Sequence, residues 1–351
     1  MVSGAGHGAA EDIPSADVFR DARWFPESYD SDRNEFRFVS ADRETIASQT
    51  FLDGRWNRTR ARHTTAAIES ILDNVPREKP RLNFIWHTGF CCSTLLAKAL
   101  DRRGVNLSLC EPQIVVEIAD AKRAGKPRDA LPALVFRLLA RGFSPQECVT
   151  LKPAPAANCL AREAAASTDG KMLFLYSDCR SFLVSITKMG EEGRKYVRRM
   201  FLAIAGDGHD QVRWQAGKLL SLSDLEMAAT VWHMQIVEMR RHWQMLGAAR
   251  AASLNCDALL ANPVEVLSGL DTFFELGVGQ QALAEVASGP LFRRNAKTAE
   301  ASFDANTRRE EHARIAESLG GDLDRVVRES YALCGVAAQD APLPNALVAI
   351  S

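Results

Sequence analysis

The chain has 351 residues, 43 of them basic and 44 acidic, and 46% of the residues are hydrophobic. That length suffices for one large domain or two modest ones with a sizeable core. Near-cancelling charge argues against a broad basic surface for nucleic acid, but it leaves room for a small anion pocket made by a few cations.

Residues 1–20 are rich in Gly and Ala and are expected to form a mobile N-terminus. They lack the basic flank and apolar core of a secretory signal. No apolar run reaches the roughly 20 residues that a membrane span needs. The cysteines, Cys91, Cys92, Cys110, Cys148, Cys159, Cys179, Cys256 and Cys334, form no C-x-x-C pair and no Cys/His spacing of the metal-binding kind. Several lie in apolar strand-like runs, where cysteine behaves as a small buried hydrophobe. A reduced, cytoplasmic protein without a metal is expected, with no nucleic-acid partner.

Residues 21–80 read as a lead-in segment packed on the main domain. Within it, "RFVSADRETIASQTFLDGRW" predicts a strand, a short helix and a turn, and "TTAAIESILDNV" predicts a helix. At Leu82 the rhythm changes. Apolar runs of a few residues alternate with amphipathic stretches, the pattern of parallel β/α units. Strands are predicted at 83–87, 106–110, 148–152 and 172–176, and helices at about 93–103, 112–122, 129–142, 155–166 and 181–204. Residues 207–250 read as all helix. There Leu225, Ala228, Ala229, Trp232, Ile236, Met239, Trp243 and Leu246 share one side, which predicts core packing. A last strand near 251–255, a short helix and another after Pro263 follow. Then come a basic loop, "GPLFRRNAKTAEASFD", two closing helices and a loose tail from 337 to 351. The expected fold class is α/β: a P-loop-type parallel β-sheet flanked by helices over 81–336, with a helical insertion and a helical C-terminus.

The stretch "NFIWHTGFCCSTLLAKALDRRG" at 83–104 has the layout of a phosphate cradle. A strand running into a helix aims backbone N–H groups and the positive end of the helix dipole at the turn. Gly89 lets the chain bend, and Ser93 and Thr94 offer hydroxyls. The lysine and second glycine of an ATP-binding loop are missing. A strand meeting a capped helix is the plain alternative.

Four pieces in order make the region 83–265 similar to the sulfotransferase family, enzymes that use 3′-phosphoadenosine 5′-phosphosulfate (PAPS). Gly89-Phe90-Cys91-Cys92-Ser93-Thr94-Leu95-Leu96 occupies the frame of the bacterial P-R-S-G-T-T-L-L loop. Lys152-Pro153-Ala154 with Asn158 matches K-x-P followed by Asn. Tyr176-Ser177-Asp178-Cys179-Arg180-Ser181-Phe182-Leu183-Val184-Ser185 follows V-R-D-P-R-D-V-x-x-S. Asn255-Cys256-Asp257-Ala258-Leu259-Leu260-Ala261-Asn262-Pro263 fits Y-E-D-L-L-x-x-P.

The resemblance implies PAPS as co-substrate and residues 89–95 around its 5′ end. It implies Arg180 and Ser185 at the 3′-phosphate, and Arg293, Arg294 and Lys297 in a closing loop. Three positions depart from the family pattern: Phe90 stands at the loop cation, Cys92 at the loop glycine and Ser177 at the first arginine of the third motif.

Sulfuryl transfer needs positioning, donors on the bridging and sulfuryl oxygens, and a base for the acceptor proton. Lys152 ends an apolar strand, at the sheet edge where ligands lie, and is the candidate substitute for the loop cation. A lysine snorkelling off the strand end is the alternative. His87 ends the first strand as a donor or base, or as a satisfied core histidine. Glu111, between a strand and Pro112, is the candidate general base, or else a helix cap. A surface ion pair is the lesser alternative for Arg180, and a solvated basic loop is the alternative for Arg293, Arg294 and Lys297. The expected function is sulfuryl transfer to a hydroxyl or amine of a small-molecule or peptide acceptor. The alternatives are an inactive relative used for binding and, further off, a small-molecule kinase.

Overall fold

The computed structural model describes residues 15–56, 58–59, 61–126, 130–207, 221–293, 305–333 and 343–348. Its main sheet has five strands: β4 (Leu82–His87), β5 (Asn106–Cys110), β6 (Cys148–Lys152), β7 (Met172–Tyr176) and β8 (Ala251–Asn255). All four pairings are parallel, in the order β5-β6-β4-β7-β8. The first strand of the unit is therefore central, with β5 and β6 on one side and β7 and β8 on the other. Every residue of β4, β5 and β7 is buried. Helices cover both faces, which is why these strands read as continuous apolar runs rather than alternating ones.

The sequence places these five strands to within a residue, because each run is short, apolar and bounded by polar turns. Helices α4 (Ser93–Leu100), α5 (Gln113–Arg123), α6 (Ala130–Leu139), α7 (Ala161–Ser167), α8 (Cys179–Lys188) and α9 (Gly190–Ile204) fill the connections. The helix expected over 181–204 is two helices, broken at Met189 and Gly190, whose φ of +55° only glycine adopts easily. The one expected over 155–166 is a 3₁₀ turn, Pro155–Leu160, running into α7.

Of the long helical stretch, α10 spans Asp224–Leu246. Ser223 and Glu226 form a reciprocal capping box at its start. Its predicted apolar stripe is core: Trp232 and Met239 are buried in the main cluster, and Trp243 and Leu246 pack at its margin. After β8 come α11 (Cys256–Ala261), α12 (Pro263–Phe274), α13 (Gln280–Ser288), α14 (Ala305–Leu319) and α15 (Gly321–Leu333). Helix α13 lies where the sequence pattern predicts no separate helix. No helix among the described residues is long and apolar enough to cross a membrane.

The lead-in holds three antiparallel strands, β1 (Trp24–Asp30), β2 (Glu35–Ser40) and β3 (His63–Ala67), with α1 (Ser15–Arg20), α2 (Arg43–Ser48) and α3 (Ile68–Asn74). Two expectations are corrected here. The stretch 64–75 is not one helix: its first half is the exposed edge strand β3, which shows no buried alternation. Strand β1 was missed because Pro26 interrupts the pattern where the β1–β2 register shifts.

Of the two segments expected to be loose, residues 1–14, 337–342 and 349–351 lie outside the described residues, and the described parts are packed. Residues 15–20 form α1, with Val18 and Phe19 buried. Leu343 is buried too, and the Leu347 N–H donates to the Ser253 carbonyl at 2.8 Å, seating the tail on β8.

Candidate active site

The carboxyl ends of β4, β5 and β6 bring three chemically active side chains together. His87 is the last residue of β4, Lys152 the last of β6, and Glu111 follows β5 directly. Register pairs Cys110 with Lys152. The Glu111 N–H extends that ladder by one bond, donating to the Lys152 carbonyl at 2.7 Å. Glu111 then turns into the left-handed region, φ +51°, which costs a non-glycine residue about 1–2 kcal/mol.

Its carboxylate does not cap the following helix. Pro112 is the N-cap there, with no side-chain bond, and Glu111 Oε1 lies 2.5 Å from Lys152 Nζ instead. Lys152 is fully buried, so it is not a surface lysine leaving a strand end. Glu111 keeps 17% of its side chain exposed, which gives the pair an opening to solvent. His87 Nε2 stands 3.8 Å from the same carboxylate oxygen. Its Nδ1 accepts from the Gly89 N–H at 3.1 Å and lies 3.2 Å from Ser93 Oγ. The histidine is therefore the inner wall of the loop. The Asn158 amide donates to the His87 carbonyl at 3.2 Å, tying the second motif to the end of β4.

The loop is strained where a cradle would be. Gly89, Phe90 and Cys92 have φ of +78°, +53° and +60°. Two of them are L-residues, and such outliers persist only where the surroundings hold them. Helix α4 starts at Ser93, and its first intrahelical bond runs from the Leu96 N–H to the Cys92 carbonyl. The N–H groups of Ser93, Thr94 and Leu95 precede that bond and form the positive end of the helix. The side chains of Ser93, Thr94 and Leu95 are buried.

Cys91 is buried, its thiol pushed up to about 11 by burial and then by Cys92, so it carries no nucleophilic thiolate near neutrality. The Cys256 thiol is raised too, by its hydrogen bond with Cys92 first and then by burial. Phe90 offers no charge. Its ring sits edge-on to Phe182 and Tyr196, with centroids 5.9 and 5.0 Å away.

Residues far away in sequence, absent from the predicted site, also approach it. The lead-in lays Leu52 along the end of β5: its N–H donates to the Cys110 carbonyl at 2.7 Å, and its carbonyl accepts from the Gln113 N–H at 3.0 Å. That seats the Phe51 ring 5.5 Å from Lys152 Nζ, with the Arg55 guanidinium 3.9 Å over the same ring. Arg308, from α14, reaches Asp257 Oδ1 at 3.0 Å and Cys256 Sγ at 3.9 Å. Nothing in the chain's local pattern signals either approach.

The two residues expected at the 3′-phosphate, Arg180 and Ser185, have separate neighbours. Arg180 is exposed and ion-paired with Asp324 of α15. Ser185 Oγ is 3.4 Å from His312 Nε2, whose pKa is pushed down to about 4 by burial and then by Arg308, so its neighbour is a neutral imidazole. Five residues apart on one helix, the two side chains diverge by roughly 140°. Ser177 is buried, its carbonyl taken by Trp232 Nε1 at 2.9 Å. Arg293 is exposed at the end of a turn that packs against α4. Arg294 and Lys297 lie outside the described residues.

No family model matches the chain, and no curated protein matches its sequence. Among solved structures, it is similar to the sulfotransferase domain from the curacin biosynthetic pathway, with a TM-score of 0.41 and 16% identity over 74% of this chain and 99% of that one. It is similar also to the sulfotransferase STF9 from Mycobacterium avium, with a TM-score of 0.40 and 10% identity over 72% of this chain and 79% of that one.

Proposed function

We propose that this protein is a sulfotransferase-like enzyme that moves a sulfuryl group from PAPS to an acceptor hydroxyl or amine. The observation that carries the reading is the pair of buried Lys152 and part-exposed Glu111, 2.5 Å apart at the mouth of the parallel sheet and beside the strained loop. It sets a cation and a carboxylate next to a helix N-terminus, the three elements sulfuryl transfer asks of a protein.

The loop suits an oxyanion: Gly89 lets the backbone turn at a φ of +78°, and the first turn of α4 presents its N–H groups. PAPS supplies the activated sulfuryl group. Lys152 stands where charge grows on the bridging oxygen, in place of the cation that Phe90 lacks. Glu111, partly open to solvent, takes the acceptor proton. His87 holds Gly89 and Ser93 in register. Residues 89–95 carry the 5′ end of the nucleotide, and Phe51 closes the pocket over Lys152.

A second reading is favoured by the divergence of Arg180 and Ser185: a sulfotransferase-fold protein that binds its ligand without transferring sulfate. Thermal shifts with PAPS, with 3′,5′-ADP and with ATP–Mg²⁺, followed by a transfer assay over an acceptor panel, decide between them. Stabilisation by PAPS and 3′,5′-ADP together with transfer is expected. Stabilisation without transfer supports the binding protein. A shift with ATP–Mg²⁺ alone points to a kinase, and no shift with any of the three sinks the nucleotide-site reading.

A further inference from the structure

The loop cradle has a neighbour that the family pattern does not predict. Tyr196 lies on α9, more than a hundred residues beyond Gly89 in sequence. Its hydroxyl is so close to Gly89 that a Cβ built there would meet it at 2.6 Å. That oxygen is buried and has no hydrogen-bond partner among the described residues. An unpaired buried hydroxyl costs free energy, so its retention needs a reason. Burial, then the charges of Glu111 and Cys91, raises the phenol's pKa well above the ordinary tyrosine value, so it remains a neutral donor near neutral pH.

The ring is held by Phe90, edge-on at 87° with centroids 5.0 Å apart. Phe90 occupies the position of the missing loop cation. We propose that Phe90 and Tyr196 act as a unit that replaces this cation: the Phe90 ring fixes the phenol, and the Tyr196 hydroxyl donates a hydrogen bond to the sulfuryl or phosphoryl oxyanion bound on the loop. The inference rests on the nucleotide-site reading and adds to it a neutral donor that selects for the oxyanion. The hydroxyl points to a ligand: it is buried and unpaired beside Gly89, in the loop that leads into the α4 N-terminus. Lys152 provides charge from the β6 side, and Tyr196 provides direction from the α9 side.

The test is Tyr196→Phe, which keeps the ring packing and removes only the hydroxyl. Affinities for 3′,5′-ADP and for inorganic sulfate are measured by calorimetry, and the melting temperature is measured without ligand. The ligand-free melting temperature is expected to hold or rise, because an unpaired buried group is lost. Affinity for both probes is expected to fall roughly ten-fold or more, the worth of one hydrogen bond to a charged group. If the wild type binds and the variant binds equally well, the hydroxyl does not touch the oxyanion; the inference fails while the site reading stands. A variant that melts several degrees lower with unchanged affinity shows a packing role and also overturns it. If the wild type binds neither probe, the inference falls together with the site reading.

Discussion

Lys152 Nζ lies 2.5 Å from Glu111 Oε1, and the backbones of the same two residues are joined by the Glu111 N–H to Lys152 carbonyl bond. The strand ladder itself thus sets the pair, holding the two side chains from adjoining strand ends. Such doubly tied geometry is what a preorganised donor requires. In the proposed chemistry a donor at the bridging oxygen is worth about 3–4 kcal/mol. Lys152→Ala is therefore expected to lower sulfuryl turnover by roughly a hundred-fold or more, with a smaller loss of 3′,5′-ADP affinity. Steady-state kinetics beside calorimetry checks this; unchanged turnover would show that the charge is met elsewhere.

Gly89→Ala is expected to be costly for two separable reasons. The φ of +78° strains any L-residue, by about 1–2 kcal/mol. The added methyl also meets the Tyr196 hydroxyl at 2.6 Å, while the ring carbon behind it is at a comfortable 3.5 Å. In a Tyr196→Phe background only the strain remains. Urea denaturation of the four proteins of the cycle should give a coupling of about 1 kcal/mol or more. Additive effects would mean that the loop backbone simply moves aside.

Arg43 fastens the lead-in to the main sheet. Its guanidinium pairs with Glu147 Oε1 at 2.7 Å and Asp101 Oδ1 at 3.0 Å and donates to the Asn106 carbonyl at 3.0 Å. The Glu147 side chain is only 1% exposed, so removing the cation strands a buried carboxylate. Arg43→Ala is expected to cost about 3–5 kcal/mol, read as a lowered denaturation midpoint. A change within 0.5 kcal/mol, the ordinary surface value, would show that the network contributes little.

His233 sets a pH dependence. It is fully buried on α10, with Nε2 2.9 Å from Ser330 Oγ of α15, and burial pushes its pKa down to about 4. Its unfolded value is near 6.5. Between these two values the unfolded chain binds a proton that the folded chain does not. The stability from a neutral His233 is therefore complete above about pH 6.5 and is lost as pH falls toward 4, by about 3 kcal/mol at most. Denaturation midpoints should fall over that window, and less steeply in His233→Gln. Parallel curves for the two proteins would refute the assignment.

The sequence by itself determined the strands of the main sheet and the carboxyl ends at which His87, Glu111 and Lys152 stand. A strand buried on both faces must be a short apolar run, and the residue that closes it must lie at the sheet edge; His87, Glu111 and Lys152 were legible for that reason. The second motif's Asn158 was legible as part of a frame, though its bond to the His87 carbonyl was not. What the tertiary structure alone decided is which distant pieces meet there. Phe51, Tyr196 and Arg308 come from the lead-in, α9 and α14, and no local periodicity encodes a contact across a hundred residues. It also decided which neighbours Arg180 and Ser185 have. Five residues along a helix turn two side chains to different neighbours, and those neighbours, Asp324 and His312, are set by how α14 and α15 pack on α8. Local pattern records burial one residue at a time, whereas a site is a relation between elements that only packing brings into contact.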